Sequence, residues 1–540
     1  MVEAGILTVG ALAPILVVLA FILPLLGMFI KRKAFFHAYA VAVTALVAAA
    51  ATYNLIVVWR GGPQLYAFGG WPPPLGISYE VDALGAVLGA LTAWVMLLIA
   101  IYSCWYMDKE TGIPYYYTLL LGLEAGLIGC IYTGDAFNLF VMLEVLSISA
   151  YGLVGFHRGR AEAVEAAVKY GIIGAAATTV YFIALVFIYG SYGTLNMADL
   201  AIKARVMAIA TPFSGGYYGN IAVAAALAVA LSLWVFTYKS ALFPNHFWLP
   251  DAHPEAPTPV SAALSGLVVN IGAYAVMRFL YTMFGPNSVL TVAKYPFRDV
   301  ILWALLILGI VSGLVGALMM MVQEDIKRLL AYSTVSHIGL VFMGLSLGFS
   351  TVPAVATQDA LTASLYHLIN HSVGKALLFM AAGIFIGIAG TRKLDGLAGS
   401  GRKAPLATAA FFIGFLQLMG LPPLGGFFSK FLLYTAFMEA GMPIVAVLVV
   451  VISAISVLGY AKAMYSVWFR PPAKEFKKVA GLTLPTAVVL FLAVVCVGLG
   501  IAAPYLTHVL STTVANSLMS KGVLSYIQAF LKTLTYLSPP

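Results

Sequence analysis

The sequence predicts an all-α polytopic membrane protein of about 14 transmembrane helices, and three observations predict it. Hydrophobic residues fill 62% of the 540 positions and charged residues 9%, a balance foreign to soluble globular domains. Apolar runs of about 20 residues recur from end to end, each long enough to cross a ~30 Å hydrocarbon core as a helix. The short alternating strands of a membrane β-barrel do not occur.

In order, the spans read 5–30, 34–59, 80–106, 114–133, 136–156, 164–190, 220–250, 259–284, 299–321, 326–348, 360–389, 404–438, 443–469 and 479–503. The first run, Ile6–Ile30, is followed by Lys31, Arg32 and Lys33 and preceded by no basic residue. It is too long for a signal-peptide core and reads as a spanning helix. The stretches 61–77, with Pro72, Pro73 and Pro74, and 191–219 are the longest early connections. Beyond Pro504 runs a tail of mixed polarity, which fits an interfacial helix or a short fifteenth span.

Charge sets the orientation. Loops after odd-numbered spans hold sixteen Lys and Arg residues, from Lys31 to Lys478; loops after even-numbered spans hold Arg60, Lys203, Arg205, Lys294 and Arg298. The positive-inside rule then puts the odd loops in the cytoplasm and the N-terminus outside, in the cell (plasma) membrane. The formal net charge of +9 is thereby a topology signal, with no nucleic-acid partner implied. Cys104, Cys130 and Cys496 are far apart in apolar runs, without CxxC or iron–sulfur spacing. No Walker loop or GxGxxG occurs. No cofactor and no metal site is expected in this chain.

Span 7, IAVAAALAVALSLWVFTYKSALFPNHFWLP, would run about 45 Å as one straight helix. Pro244 lacks a backbone donor and clashes with the preceding turn, so the helix is expected to break near mid-bilayer, just after Lys239. Broken backbone at that depth must be buried in protein or face water. A lysine there costs roughly 2.5–3.5 kcal/mol on insertion scales, which points to an internal polar site. Span 12 repeats the design. Its middle, GLPPLGGFFSKF, sets Pro422, Pro423, Gly425 and Gly426 just before Lys430. Each is preceded by a span with its own lysine, Lys169 before Lys239 and Lys375 before Lys430. Paired broken segments point to inverted repeats, suggested as spans 4–8 and 9–13. The chain then divides into residues 1–113 (helices 1–3), 114–284 (first repeat), 298–469 (second repeat) and 470–540 (helix 14 and tail).

Few polar residues remain inside the spans. Glu144 lies well within span 5. A buried carboxylate alone tends toward neutrality, and a nearby lysine keeps it charged. A Glu144/Lys239 pair would therefore switch protonation as it opens and closes; the alternative is a static ion pair. Arg278, near the end of span 8, is expected to snorkel. HLINHSVGK places His367, His371 and Lys375 at i, i+4 and i+8, stacked on one helix face. A proton relay suits histidines that titrate near neutral pH. Helix packing is the second reading, and metal binding lacks a third ligand. His337, in AYSTVSHIG, extends this seam.

These residues lie in recognisable motifs. DAFNLFVMLEVLSISAYGLVGF, YGTLNMADLA, PNHFWLPDAHPEAPTPVSAALSG, EDIKRLLAYSTVSHIG, HLINHSVGKALLF and GLPPLGGFFSKF resemble the antiporter-like subunit family over roughly residues 75–470. That family comprises large subunits of Mrp-type sodium/proton antiporters and proton-pumping membrane subunits of respiratory complex I and membrane-bound hydrogenases. YGTLNMADLA looks most like the Mrp D-type subunit and its hydrogenase relatives. The resemblance implies fourteen helices, inverted repeats of five and a central hydrophilic axis. It implies that Glu144 and Lys239 form the functional pair and that Lys430 is the terminal site. One position departs: in SGLVVNIGAYAVMRF, Asn270 stands where the family usually has lysine or histidine, and asparagine takes up no proton near neutral pH.

The expected function is an ion-translocating subunit of a larger complex, moving protons or exchanging sodium for protons. Its expected partners are other membrane subunits, either of an antiporter or of a redox-driven complex with iron–sulfur, quinone or hydrogenase subunits. The alternative is a structural membrane scaffold in which Asn270 impairs conduction. A membrane transferase would need a large extramembrane domain or an acidic metal cluster, and neither is present.

Overall fold

The computed structural model describes residues 9–210, 215–216, 219–292, 296–472, 475–476 and 479–535. The start of span 1, Lys294, Lys474, Lys477, Lys478 and the last five residues lie outside them. Among the described residues, thirteen helices are long and apolar enough to cross a membrane. Span 12 adds a fourteenth crossing in two pieces, Pro405–Met419 and Gly425–Glu439. The fold is all-α and polytopic, as the apolar runs predict.

Burial is uneven. Span 8 (Thr258–Met283), span 10 (Ile326–Leu345) and span 11 (Ala354–Ala389) are 100%, 94% and 89% buried over their most apolar windows. Span 1 is only 28% buried and span 13 (Pro443–Phe469) 39%. Spans 8, 10 and 11 therefore form the inner column of the bundle, and protein rather than lipid surrounds them. This lets them carry serines, histidines and a lysine that lipid-facing helices cannot. Span 8 also contains two wider π-helical turns, Leu264–Val268 and Arg278–Met283, flanking Asn270. Such turns re-aim side chains and recur at functional sites.

The two expected breaks are present and closed alike. The first half of span 7, Ile221–Lys239, ends with Leu242 N donating to Thr237 O (2.9 Å) and Ala241 N to Tyr238 O (3.0 Å). Ala241 takes φ +53. The first half of span 12 ends with Leu421 N donating to Leu416 O and Gly420 N to Gln417 O (both 3.2 Å), and Gly420 takes φ +84. This is the Schellman closure, in which one left-handed residue turns the chain out of the helix. After the first break the chain resumes as Trp248–Glu255.

Even-numbered loops gather at one face. There the antiparallel pair Gln64–Ala67 and Ser78–Val81, the helix Met197–Ala210 and the tail helix Ser520–Thr535 pack together. The tail forms two short helices, Ala503–Ala515 and Ser520–Thr535. Both fall short of the ~20 residues a span needs. In the second, Val523, Tyr526, Ile527 and Phe530 are buried and Leu524 is exposed, the stripe of a helix lying on a surface. Odd-numbered loops gather at the other face. Arg392 there bridges Glu255 (2.6 Å) and Asp325 (2.5 Å). Beside them opens a cavity of about 750 Å³ whose lining includes Lys327, with Nζ donating to Ala256 O (2.7 Å).

Arg278 does not snorkel. It is fully buried, donating to both carboxylate oxygens of Asp82 (2.7 and 2.6 Å) and to Tyr274 OH (2.9 Å). Asp82 caps the start of span 3 by accepting from Gly85 N (3.0 Å). The fold thus sets an acid beside the guanidinium, and a fork-to-carboxylate contact replaces the reach to the headgroups.

Candidate functional site

The site has two parts. In the first, Lys239 is the last helical residue before the span 7 break and is fully buried. Its Nζ donates to Ser147 Oγ (2.5 Å) and, at 3.5 Å, to Tyr151 OH. It also lies 5.6 Å from the ring centres of Tyr151 and Tyr238. Glu144, Ser147 and Tyr151 share one stripe of span 5 (Ala136–Val154), at i, i+3 and i+7. Among the described residues no ion pair joins Glu144 to Lys239; Glu144 is half-buried and its Oε1 makes no hydrogen bond. Glu144 acts on Lys239 through space, while the direct contact of the ammonium is with Ser147, one turn along the same stripe. Ser147 takes the ammonium because it lies nearer on the same stripe.

In the second part, five hydrogen bonds run through four helices without a gap. Lys375 Nζ, on span 11, donates to Ser333 Oγ on span 10 and to Leu330 O (2.8 Å). Ser333 Oγ meets Tyr460 OH of span 13 at 2.5 Å. Tyr460 OH meets His337 Nε2 of span 10 at 2.8 Å. His337 Nδ1 meets His367 Nε2 of span 11 at 2.9 Å. His367 Nδ1 meets Ser429 Oγ of span 12 at 3.0 Å. The next residue, Lys430, donates from Nζ to Leu418 O (2.8 Å) and Met419 O (3.1 Å), carbonyls freed by the span 12 break. Ser333, His337, His367, Lys375, Ser429, Lys430 and Tyr460 are all buried. Hydroxyls and imidazoles both donate and accept, so such a line can pass a proton by reversing each bond in turn.

Asn270 joins spans 8 and 11. Its Nδ2 donates to Gly266 O (2.9 Å) within span 8 and to Ser372 Oγ (2.8 Å) on span 11, leaving Oδ1 unpaired. Ser265 and Thr334 form a second bridge between spans 8 and 10 at 2.6 Å. The His371 ring lies tilted with its centre 5.8 Å from that of His337, and neither of its ring nitrogens is hydrogen-bonded. It flanks the line without belonging to it.

Lys169 is not brought to the site. It lies on the exposed side of span 6 (Ala161–Tyr192), 55% exposed, and pairs with Glu165 at 2.5 Å across one helical turn. The expected symmetry of one buried lysine before each broken span therefore fails in the first half. Span 6 meets lipid and solvent where span 11 meets protein, so its lysine has water to reach.

Four residues escape sequence reasoning. Ser147 and Ser333 carry a weak signal, each four residues before a polar partner, Tyr151 and His337. Ser429 adjoins Lys430. Tyr460, in VLGYAKAM, carries none: a lone tyrosine in an apolar helix looks like core. Among the described residues, no group of three or more His, Cys, Asp or Glu side chains is placed to hold a metal ion.

Comparison with known proteins agrees with this architecture. Residues 133–456 match the family described as NADH:quinone oxidoreductase/Mrp antiporter, transmembrane; residues 74–117 match the N-terminus of chain 5 of NADH-ubiquinone oxidoreductase. The N-type subunit of the NADH-quinone oxidoreductase of Desulforudis audaxviator is 32% identical over 505 residues, covering 90% of this chain and 93% of the relative. The D-type subunit of the Na(+)/H(+) antiporter of Alkalihalophilus pseudofirmus is 30% identical, covering 89% and 91%. Among solved structures, a chain of the archaeal membrane-bound sulfane sulfur reductase superposes with TM-score 0.84 at 28% identity, over 98% of this chain and all of that one. A chain of the Mrp complex from Dietzia gives 0.80 at 26% identity, again over 98% of this chain and all of that one. The chain belongs to the NADH:quinone oxidoreductase/Mrp antiporter transmembrane family.

Proposed function

We propose that this chain is the ion-translocating membrane subunit of a multi-subunit complex and that it moves protons through its second half. One observation carries the reading: the buried line Lys375–Ser333–Tyr460–His337–His367–Ser429, ending beside Lys430. Burying so many polar groups at bilayer depth is costly, and a line of groups that each donate and accept is what proton transfer requires. Lys239 is the station of the first half. Glu144, one turn from its Ser147 partner, is the carboxylate that stabilises the ammonium when the two approach. Asn270 passes no proton itself; its bond to Ser372 holds the inner helices in register.

The driving force comes from partner subunits. Relatives include a quinone-linked oxidoreductase subunit, an antiporter subunit and a chain of a sulfur-reducing respiratory complex. A redox-driven complex and a sodium/proton antiporter are therefore the two settings. Iron–sulfur or hydrogenase chains co-purifying with this one identify the first, and their absence the second. The face carrying Arg392 and Lys327 is the cytoplasmic one in this reading, on the positive-inside rule.

The test is flux of protons or sodium into vesicles carrying the assembled complex with Lys239→Ala. Transport falls while assembly is kept. Undiminished transport at normal assembly rejects the role given to Lys239. Lost assembly with unchanged flux per complex supports the scaffold reading instead.

A further inference from the structure

At the even-loop face a cavity of about 420 Å³ opens between the ends of spans 8 and 9, the start of span 11 and the tail helix Ser520–Thr535. Its two sides differ in chemistry. Arg205, Arg298, Asn287 and Ser350 line one; Val523 and Leu524 of the tail helix line the other. Leu524 is 58% exposed, so the apolar side runs out to the surface.

Among the described residues neither arginine has an acidic partner. Arg298 is 2% exposed. It donates from Nε to Leu280 O (3.2 Å) and from Nη1 to the Gly348 carbonyl, and lies over the Tyr281 ring at 5.2 Å. Its Nη2 has no hydrogen-bond partner. Arg205 donates from Nη1 to Ala201 O (2.7 Å) and, less closely, to Thr282 O (3.2 Å). Burial first, and then the like charge of Arg298, push the Arg205 guanidinium below its ordinary value. Asp299, the neighbouring acid, acts on Arg298 through space but gives its hydrogen bonds to Ser350, accepting from Ser350 N (3.1 Å) and Ser350 Oγ (2.5 Å). Two cations thus share an enclosed space, and one keeps a donor with nothing to bind.

We propose that this cavity binds the phosphate of an anionic phospholipid, held by Arg205 and Arg298, with its acyl chains passing over Leu524. Guanidinium forks match phosphate oxygens in geometry and charge, and a buried guanidinium with an unbonded donor is settled by an anion. The cavity lies at the ends of the spans, and Leu524 carries its apolar side out to the surface. The site is separate from the translocation line and stands or falls independently of it.

The purified complex is titrated in detergent with dioctanoyl-phosphatidylglycerol, dioctanoyl-phosphatidylcholine and inorganic phosphate, each arm read by native mass spectrometry and thermal shift. Phosphatidylglycerol is expected to remain bound and raise the melting temperature; the other two are not. Arg205→Gln is expected to weaken phosphatidylglycerol binding by about tenfold, the loss of one charge-assisted contact. Lys203→Gln, on the same helix but paired with Asp199, leaves it unchanged. Should Arg205→Gln fail to assemble, Arg298→Lys keeps the charge, loses the fork and carries the same expectation. Equal binding of phosphatidylcholine, or unchanged binding in the arginine variants, overturns the proposal. An equal response to inorganic phosphate alone overturns the lipid assignment and leaves a free-anion site.

Discussion

Spans 7 and 12 both break in mid-course and close with the same Schellman turn, yet they use their lysines differently. At the first break, the Tyr238 carbonyl accepts from Ala241 N in the closing turn and also from Trp248 Nε1 (2.8 Å). Lys239, in the half-helix before the turn, reaches across to Ser147 on span 5. At the second break Lys430, in the half-helix after the turn, caps the Leu418 and Met419 carbonyls at the negative end of the half-helix before it. The first lysine is held by two hydroxyls, of Ser147 and Tyr151, and by two rings. The second is anchored on two backbone carbonyls, next in sequence to Ser429, where the hydrogen-bonded line ends. The two broken spans share a backbone device and differ in what surrounds their lysines.

Removing one oxygen from each half exposes this difference most sharply. Tyr460→Phe keeps the ring but deletes the atom shared by Ser333 and His337. An unmade buried hydrogen bond costs about 1–3 kcal/mol, so flux in vesicles is expected to fall by about tenfold or more. Tyr151→Phe deletes a hydroxyl 3.5 Å from Lys239 while Ser147 keeps its contact, and flux is expected to change by less than about threefold. Equal losses in the two variants would erase the distinction between station and line.

The turns themselves give a middle-sized effect, of opposite sign in the two halves. At Gly420, φ is +84, and an added Cβ would lie 2.9 Å from Cδ of Lys430. Gly420→Ala is expected to destabilise by about 1–2 kcal/mol or more, and to shift Lys430 from its carbonyls. At Ala241 the same turn already carries a side chain at φ +53. Ala241→Gly relieves that conformation and loses chain entropy on folding, so a change within about 1 kcal/mol toward stability is expected. Thermal unfolding of the purified complex reads both.

The smallest effect belongs to Lys169. It is solvent-exposed and paired only with Glu165, so Lys169→Ala is expected to leave flux within about twofold of the parent. A large loss there would restore the symmetry that the structure removes.

Much was legible in the residues. Apolar run lengths gave the spans, since crossing a bilayer demands about 20 apolar residues however the helices pack. Proline and its missing donor marked both breaks within a few positions. Lys239, Lys375, Lys430, His337 and His367 stood out because titratable groups in apolar runs are costly to bury. Tyr460 and Ser147 did not, because hydroxyls in helices are ordinary and only a partner on another helix gives them a role.

Which helices cross the membrane, where two of them break and which ionisable groups are taken to depth could all be read from the chain. Those properties depend on local composition and backbone chemistry. Helix packing settled the rest: Lys169 faces outward, Asp82 receives Arg278, Ser147 rather than Glu144 meets Lys239, and four helices align one unbroken line of donors and acceptors. Hydrogen bonds of about 3 Å between residues far apart in the chain depend on how helices are rotated and set against each other, and no local pattern encodes that rotation.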